Sequence, residues 1–507
     1  MTAFQSLGLS PQQLEIAPLA FGEWLPDMPY VNNPGGLEAL NVIPSEECYV
    51  PFKELVLTTG ATLAKACNGA IEVFGQDGSP YLYAASVDGI FKRVSASMVS
   101  LYTPTITLYD KYNWQFIQFG SSLVALHPQQ SPVVADVGGS LSFSPLAGSP
   151  PIAYCGARVG NFLVLGNLDN EADPAGTRWP SRIRWSGFDN ITSPWTTNPA
   201  TQADFNDMPN ESGAVMAITG REYGTIFQER GISRMTYAGL PTVFDIETVE
   251  ESRGAISTGA VVDIGIFVFF IAEDGFHVWN GTNTTPLGDN KVNRYFFNQL
   301  NYTSRSKIVS AVDYFNKCVV WAYPTGSSTT PTELIIYSYK ENRFSRSDKA
   351  MEWLISGYTF DTSIDELTGN IDTGYPVSFD SDIYLGRRPY LAGFDNAHAF
   401  GFFNGANRAA VLDTAEYSGV GGNRSFVNCS RPVIDLDSPV ATVQIAARDQ
   451  LRGEALVFGT ATAQEITGEV PILGDARYMR FRTAIPAGSN WSRAQGLEIW
   501  RKTTGRR

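Results

Sequence analysis

The chain has 507 residues, 43% of them hydrophobic, which is enough to bury a core without help from disulfides or metals. A formal net charge of −14 opposes general binding to nucleic acid or anionic membranes. Five scattered cysteines with no C-x-x-C pair exclude a disulfide framework and a zinc module, and read as buried small hydrophobes in a reducing compartment.

The composition predicts an all-β protein. Its 22 Tyr and 30 Phe favour strands, while 47 Gly and 29 Pro supply tight turns. No Lys or Arg precedes Lys53, so no export signal is expected. The longest apolar run, 264–272, falls well short of the roughly 20 residues of a membrane helix and is predicted to be a buried strand.

In chain order, residues 1–53 read as an extended arm. Pro26, Pro29, Pro34, Pro44 and Pro51 are too dense for a helix, and Gly35-Gly36 calls for a turn. Such a segment has no core of its own and must lie against this subunit or a neighbour. The arm holds seven acidic groups up to residue 54 against Lys53 alone.

Residues 54–412 carry a loose repeat of strand, Gly-containing turn and strand, clearest at 81–94, 116–127, 157–168, 223–237, 264–280, 314–339 and 390–403. The pairs Asp77-Gly78, Asp88-Gly89 and Asp274-Gly275 mark hairpin turns. Wide spacings fall at insertions near 169–212 and 350–388. The pattern predicts a β-propeller of six to eight blades, with stacked sandwiches as the alternative.

Residues 413–507 change character. Segments 441–448, 454–458, 477–485 and 497–501 alternate apolar and polar residues, which predicts a small β-sandwich. In 478–482, Arg480 and Arg482 face away from Met479 and Phe481. The last seven residues carry four basic groups, read as a solvated tail or a dock for an acidic neighbour.

Little here suggests catalysis, a cofactor or a metal. His127, His277 and His398 are far apart in sequence, and nucleotide-binding and hydrolase motifs do not occur; Gly419-Val420-Gly421-Gly422 is only a fragment of one. His277 follows Asp274, so a Ser-His-Asp arrangement can be drawn, though a strand residue is simpler. Asp169, Glu171 and Asp173 miss calcium-loop spacing. Carboxylate pairs such as Asp365-Glu366 and Asp380 with Asp382 leave a glycan-cleaving reading open. Trp279 and Trp353 leave a glycan-binding propeller as the alternative function.

Several segments resemble one family. The run Glu23-Trp24-Leu25-Pro26-Asp27-Met28-Pro29 is followed by Asn33-Pro34-Gly35-Gly36-Leu37, Asn41-Val42-Ile43-Pro44 and Tyr49-Val50-Pro51. Further along stand Trp114-Gln115-Phe116, Arg182-Ile183-Arg184-Trp185-Ser186 with Trp195, Ile226-Phe227-Gln228-Glu229, Phe267-Val268-Phe269-Phe270 and Arg477-Tyr478 to Arg482. Together they resemble the tail nozzle proteins, also called packaged-DNA stabilisation proteins, of short-tailed bacteriophages.

The resemblance implies a virion tail protein assembled in the host bacterial cytoplasm. It implies a homo-hexameric ring below the head-to-tail adaptor, bordering fibres, spikes or needle, that retains the genome and conducts double-stranded DNA without sequence recognition. On that reading Trp24, Pro26, Asp27, Pro34, Gly35, Asn41, Pro44, Tyr49 and Pro51 are expected to serve assembly. Asp361, Asp365, Glu366, Asp372, Asp380 and Asp382 are expected to line or rim the channel.

Overall fold

The computed structural model describes residues 14–31, 33–95, 97–139, 142–172, 175–358, 389–419, 422–452 and 456–505. Among them, short strands separated by tight turns pair with their sequence neighbours into four-stranded antiparallel sheets. Blades 1 to 5 comprise residues 69–102, 115–145, 152–207, 215–250 and 262–286. Blade 6 comprises 309–347. Blade 7 takes three strands from 353–407 and its fourth, Lys53–Thr62, from near the N-terminus.

The sheets close into a ring. Gly69–Phe74 lies beside Gln115–Phe119 on one side and Trp353–Tyr358 on the other, and the first strands or lead-in turns of the remaining blades complete the circle. The fold is therefore a seven-bladed β-propeller among the described residues. Each of the seven hairpins picked out by the repeat falls in a different blade, so the repeat was counting blades.

Closure depends on the N-terminal strand, in which Val56 pairs with Phe402 and Leu57 with Gly401. A Cβ on Gly401 would stand 2.4 Å from the Val56 carbonyl, so only glycine permits this approach. The expected Asp-Gly turns are present: Gly78, Gly89 and Gly275 have φ of 75°, 134° and 144°. Of the apolar run 264–272, Val268–Ala272 is a buried strand. The start is a turn at Gly265 that leaves Ile266 78% exposed.

The second body is a β-sandwich. One layer continues blade 6 outward from Arg343–Ser347 through Gly36–Leu40, Ala410–Thr414, Tyr478–Ile485, Thr442–Arg448 and Thr462–Ala463. The other runs Val42–Ser45, Cys48–Pro51, Trp491–Gly505, Arg424–Leu436 and Gly474–Ala476, with Glu15–Ala20 added on Trp491–Gly505. Ala17, Val427, Val443, Met479, Phe481, Leu497 and Ile499 fill the space between them. Met479 and Phe481 point into this core, as their alternation with Arg480 and Arg482 predicts.

Two expectations about domains are corrected. Residues 14–52 are not a separate arm: they supply strands to both sandwich layers and bind them to blade 6. The sandwich is consequently built from both ends of the chain. Gly35-Gly36 is needed for crowding, not for a left-handed turn, since a Cβ on Gly35 would lie 2.0 Å from the Glu23 carbonyl. Segment 454–458 shows an isolated bridge at Phe458 where a strand was predicted, with 453–455 outside the described residues. The 13-residue strand Arg424–Leu436 was not foreseen.

Candidate functional site

The first candidate is the arm and its joint. Trp24 is buried, packs edge-on against Tyr295 with ring centroids 5.0 Å apart, and donates its indole N–H to the Leu37 carbonyl at 3.3 Å. Asp27 accepts the backbone N–H groups of Arg294 and Tyr295 at the start of helix α1, Asn293–Gln299. Asn41 donates to Asp348 and to the Ala409 carbonyl while accepting from Ser347. The Tyr49 hydroxyl donates to the Gly22 carbonyl. Beside them Glu38 and Arg346 form a two-pronged ion pair at 2.8 and 2.9 Å.

Most of the residues expected to serve assembly have partners inside the subunit. Trp24, Gly35, Asn41, Pro44 and Tyr49 are buried within their own subunit, and Pro26, Asp27 and Pro51 are partly so. Pro34 alone of the nine is exposed. The buried, hydrogen-bonded side chains among them, Trp24, Asn41 and Tyr49, hold the subunit together.

The acids expected to line or rim a channel, Asp361, Asp365, Glu366, Asp372, Asp380 and Asp382, lie outside the described residues, as do Asp173, Val420, Gly421, Arg506 and Arg507. All five cysteines are free and buried, in keeping with their reading as small hydrophobes.

The three histidines do not converge. The Nε2 atom of His277 meets Asp274 at 2.8 Å, but its Nδ1 has no hydrogen-bond partner, so no serine completes a triad. His398 pairs with Glu352 at 2.8 Å. His127 is buried beside Trp114, and burial, with the nearby Lys307 charge, pushes its pKa down to about 4. Among the described residues no cluster of His, Cys, Asp and Glu could hold a metal ion. Trp279 is buried and unavailable to a sugar, whereas Trp353 is partly exposed at the propeller axis.

The axis holds the second candidate. Inner strands diverge around a propeller, leaving backbone groups that neighbouring strands cannot pair, and here side chains satisfy them at every blade junction. Gln118 donates to the Phe74 carbonyl, joining blades 1 and 2. The Gln115 amide exchanges two 2.9 Å bonds with Gly156 of blade 3. Asn167 reaches the Val215 carbonyl of blade 4 at 3.1 Å, and Thr258, leading into blade 5, donates to the Met216 carbonyl at 2.7 Å. Ser310 of blade 6 donates to the Val261 carbonyl, Ser356 joins blade 7 to Val312, and the Trp353 indole donates to the Ala70 carbonyl of blade 1.

These rungs surround an axial cavity of about 450 Å³. Ile71, Gln115, Tyr154, Met216, Ser310 and Trp353 bring six blades to its wall, and Thr258 brings the lead-in to blade 5. No motif in the sequence marked this site. Its residues are dispersed from 70 to 353 and come together only when the ring closes.

No protein-family model and no curated protein matches the chain. Among solved structures, one described as the extracellular domain of a one-component system from B. thetaiotaomicron aligns at TM-score 0.42 and 9% identity over 83% of this chain. The chain spans about half of that structure's length, 47%. A mitotic checkpoint complex aligns at TM-score 0.38 and 11% identity, over 71% of this chain and 98% of the matched one. Assignment of the fold rests on the chain's own sheets, and no helix of the described residues is long and apolar enough to cross a membrane.

Proposed function

We propose that the chain is a structural subunit of a short-tailed phage tail, a nozzle-type ring that extends the DNA channel below the head-to-tail adaptor. One observation carries the reading: the segments that resemble the nozzle family are keystones of this architecture, not surface decoration. Trp24 to Asp27 fix the sandwich to α1. In the Arg-Trp-Ser segment, buried Arg184 donates to the Trp195 carbonyl at 2.6 Å and Arg182 pairs with Asp207. Arg480 and Arg482 in the closing segment both bind Asp413. These structural roles are what supports the reading.

An axial cavity of about 450 Å³ is too small to conduct a duplex, whose major groove alone is about 12 Å wide. DNA would pass between subunits, along a passage formed by a ring of copies, six on the family pattern. A net charge of −14 on each copy favours sliding over retention, because tight duplex binding needs many basic contacts to phosphate. Fibres, spikes or a needle would border the same ring.

Negative-stain imaging of the pure protein, alone and mixed with its adaptor, tests the proposal. A closed ring with a central hole is expected. Solitary particles in both samples would sink it.

A further inference from the structure

The geometry points to the axial cavity as a binding site for an acidic sugar: a hydroxyl-rich ring carrying one carboxylate. The inference goes beyond the tail reading and does not depend on it, since one propeller holds the complete site.

Charge is the first argument. Among the described residues no acidic side chain lines this cavity, and the only charged lining residues there are Lys111 and Arg305. Lys111 is exposed, with its ammonium 4.8 Å from the Tyr112 ring centre, and Arg305 stacks on Tyr302 at 4.6 Å. Both cations are held near the cavity, and among the described residues no carboxylate in its wall stands against them. A single carboxylate on a ligand is the complement.

The second argument is unmet hydrogen bonding. Asn167 is 5% exposed and Ser257 2%, and both line the cavity, yet Asn167 Oδ1 and Ser257 Oγ have no partner. Asn113 Oδ1 repeats the pattern, its amide nitrogen being spent on the Ser306 carbonyl. Asn167 is placed by a bulge in Phe162–Ala172 at which it adopts φ of 57°, and its own amide nitrogen is committed to Val215. What is left at the two asparagines is acceptor capacity. Buried acceptors without donors are costly, so a ligand that brings donors, as sugar hydroxyls do, gains by meeting them.

The third argument is shape. Tyr112, Tyr154 and Trp353 give the wall aromatic surface against which the C–H face of a sugar ring can lie. The volume falls within the range of about 300–1,000 Å³ typical of small-molecule sites. It would take on the order of 15 waters at roughly 30 Å³ each, too many for a structural water site.

Titration calorimetry on the full chain with glucuronate and with N-acetylneuraminate tests the inference. Glucose, acetate and inorganic phosphate serve as controls, and methyl glycosides separate a free sugar from a chain end. At least one acidic sugar should bind about tenfold more tightly than any control. Replacing the cations in a Lys111→Ser, Arg305→Ser double variant should remove that preference, and Ser257→Ala should weaken binding while leaving the preference intact. No acidic-sugar binding up to about 10 mM, or equal binding of acetate or phosphate, would overturn the assignment. So would a double variant that binds as the parent does.

Discussion

Asp27 accepts the backbone N–H of Tyr295 at 2.8 Å, and its other carboxylate oxygen takes that of Arg294 at 2.6 Å. A residue from the N-terminal arm thereby caps a helix between blades 5 and 6, across a separation of 268 positions. The cap satisfies two N–H groups that helix geometry leaves without intrahelical partners, and it places a negative charge at the positive end of the backbone dipoles.

Removing that carboxylate in Asp27→Ala should lower stability by about 1–2 kcal/mol. Asp27→Asn, which keeps an acceptor, should lose less. Urea titration of the three proteins gives the order, and an alanine variant as stable as the parent would deny the cap its role.

Deleting residues 1–50 should prevent the sandwich from folding. Glu15–Ala20, Gly36–Leu40 and Val42–Ser45 would vanish from its two layers, and Trp24 from the joint. The single change Trp24→Ala should already cost about 3–5 kcal/mol, as for other buried large side chains. Limited proteolysis reads the outcome: cleavage concentrated in 408–505 is expected of the truncated chain. A protease-resistant truncated monomer would contradict it.

Asp413 has a fully buried side chain and binds two arginines, Arg482 at 2.8 Å and Arg480 alongside it. Asp413→Ala would leave the Arg480 guanidinium largely buried and uncompensated, which typically costs about 3–5 kcal/mol. Replacing all three residues by apolar ones of similar volume should recover much of the loss. Thermal melts of the single and triple variants decide the matter.

Glu72 offers a pH test. Burial raises its carboxyl pKa to about 8, against the lowering effects of the Tyr358 N–H bond and the Arg93 charge. The unfolded chain releases this proton near pH 4.5 and the folded chain only near 8, so the folded state binds more protons between them. Stability from this group is therefore full below about pH 4.5 and declines as pH rises through about 8. Glu72→Gln should raise the melting temperature at pH 8 and change it little at pH 4.5. An equal shift at both pH values would refute the protonated carboxyl.

Burial of His127 acts in the opposite sense. Its imidazole is held near pKa 4 from an ordinary 6.5, so the unfolded chain takes up the proton first on acidification. Stability present above pH 6.5 should fall as pH drops towards 4, by a total on the order of 3 kcal/mol. His127→Phe should flatten that acid limb in melts between pH 7 and 4, and an unchanged limb would show that other groups dominate.

Local features were readable from sequence wherever they were set by neighbours along the chain. The Asp274-Gly275 hairpin follows from the positive φ that glycine tolerates, and the inward Met479 and Phe481 follow from the two-residue period of a strand. The destination of the arm was not readable. Its prolines correctly exclude a helix, but nothing in 14–52 states that Leu40 will lie against Arg346 or Trp24 against Tyr295. The axial cavity was hidden for the same reason, since Lys111, Asn167, Ser257 and Arg305 share no spacing.

The sequence by itself determined an all-β chain, seven hairpin repeats and an alternating C-terminal region, because turn chemistry and side-chain period act over a few residues. Tertiary structure alone decided that Lys53–Thr62 closes the ring, that residues 14–52 supply strands to the sandwich, and that cations and unpaired asparagine oxygens meet at the axis. Those outcomes depend on contacts between residues hundreds of positions apart, which arise from burying shared surface and not from any local preference.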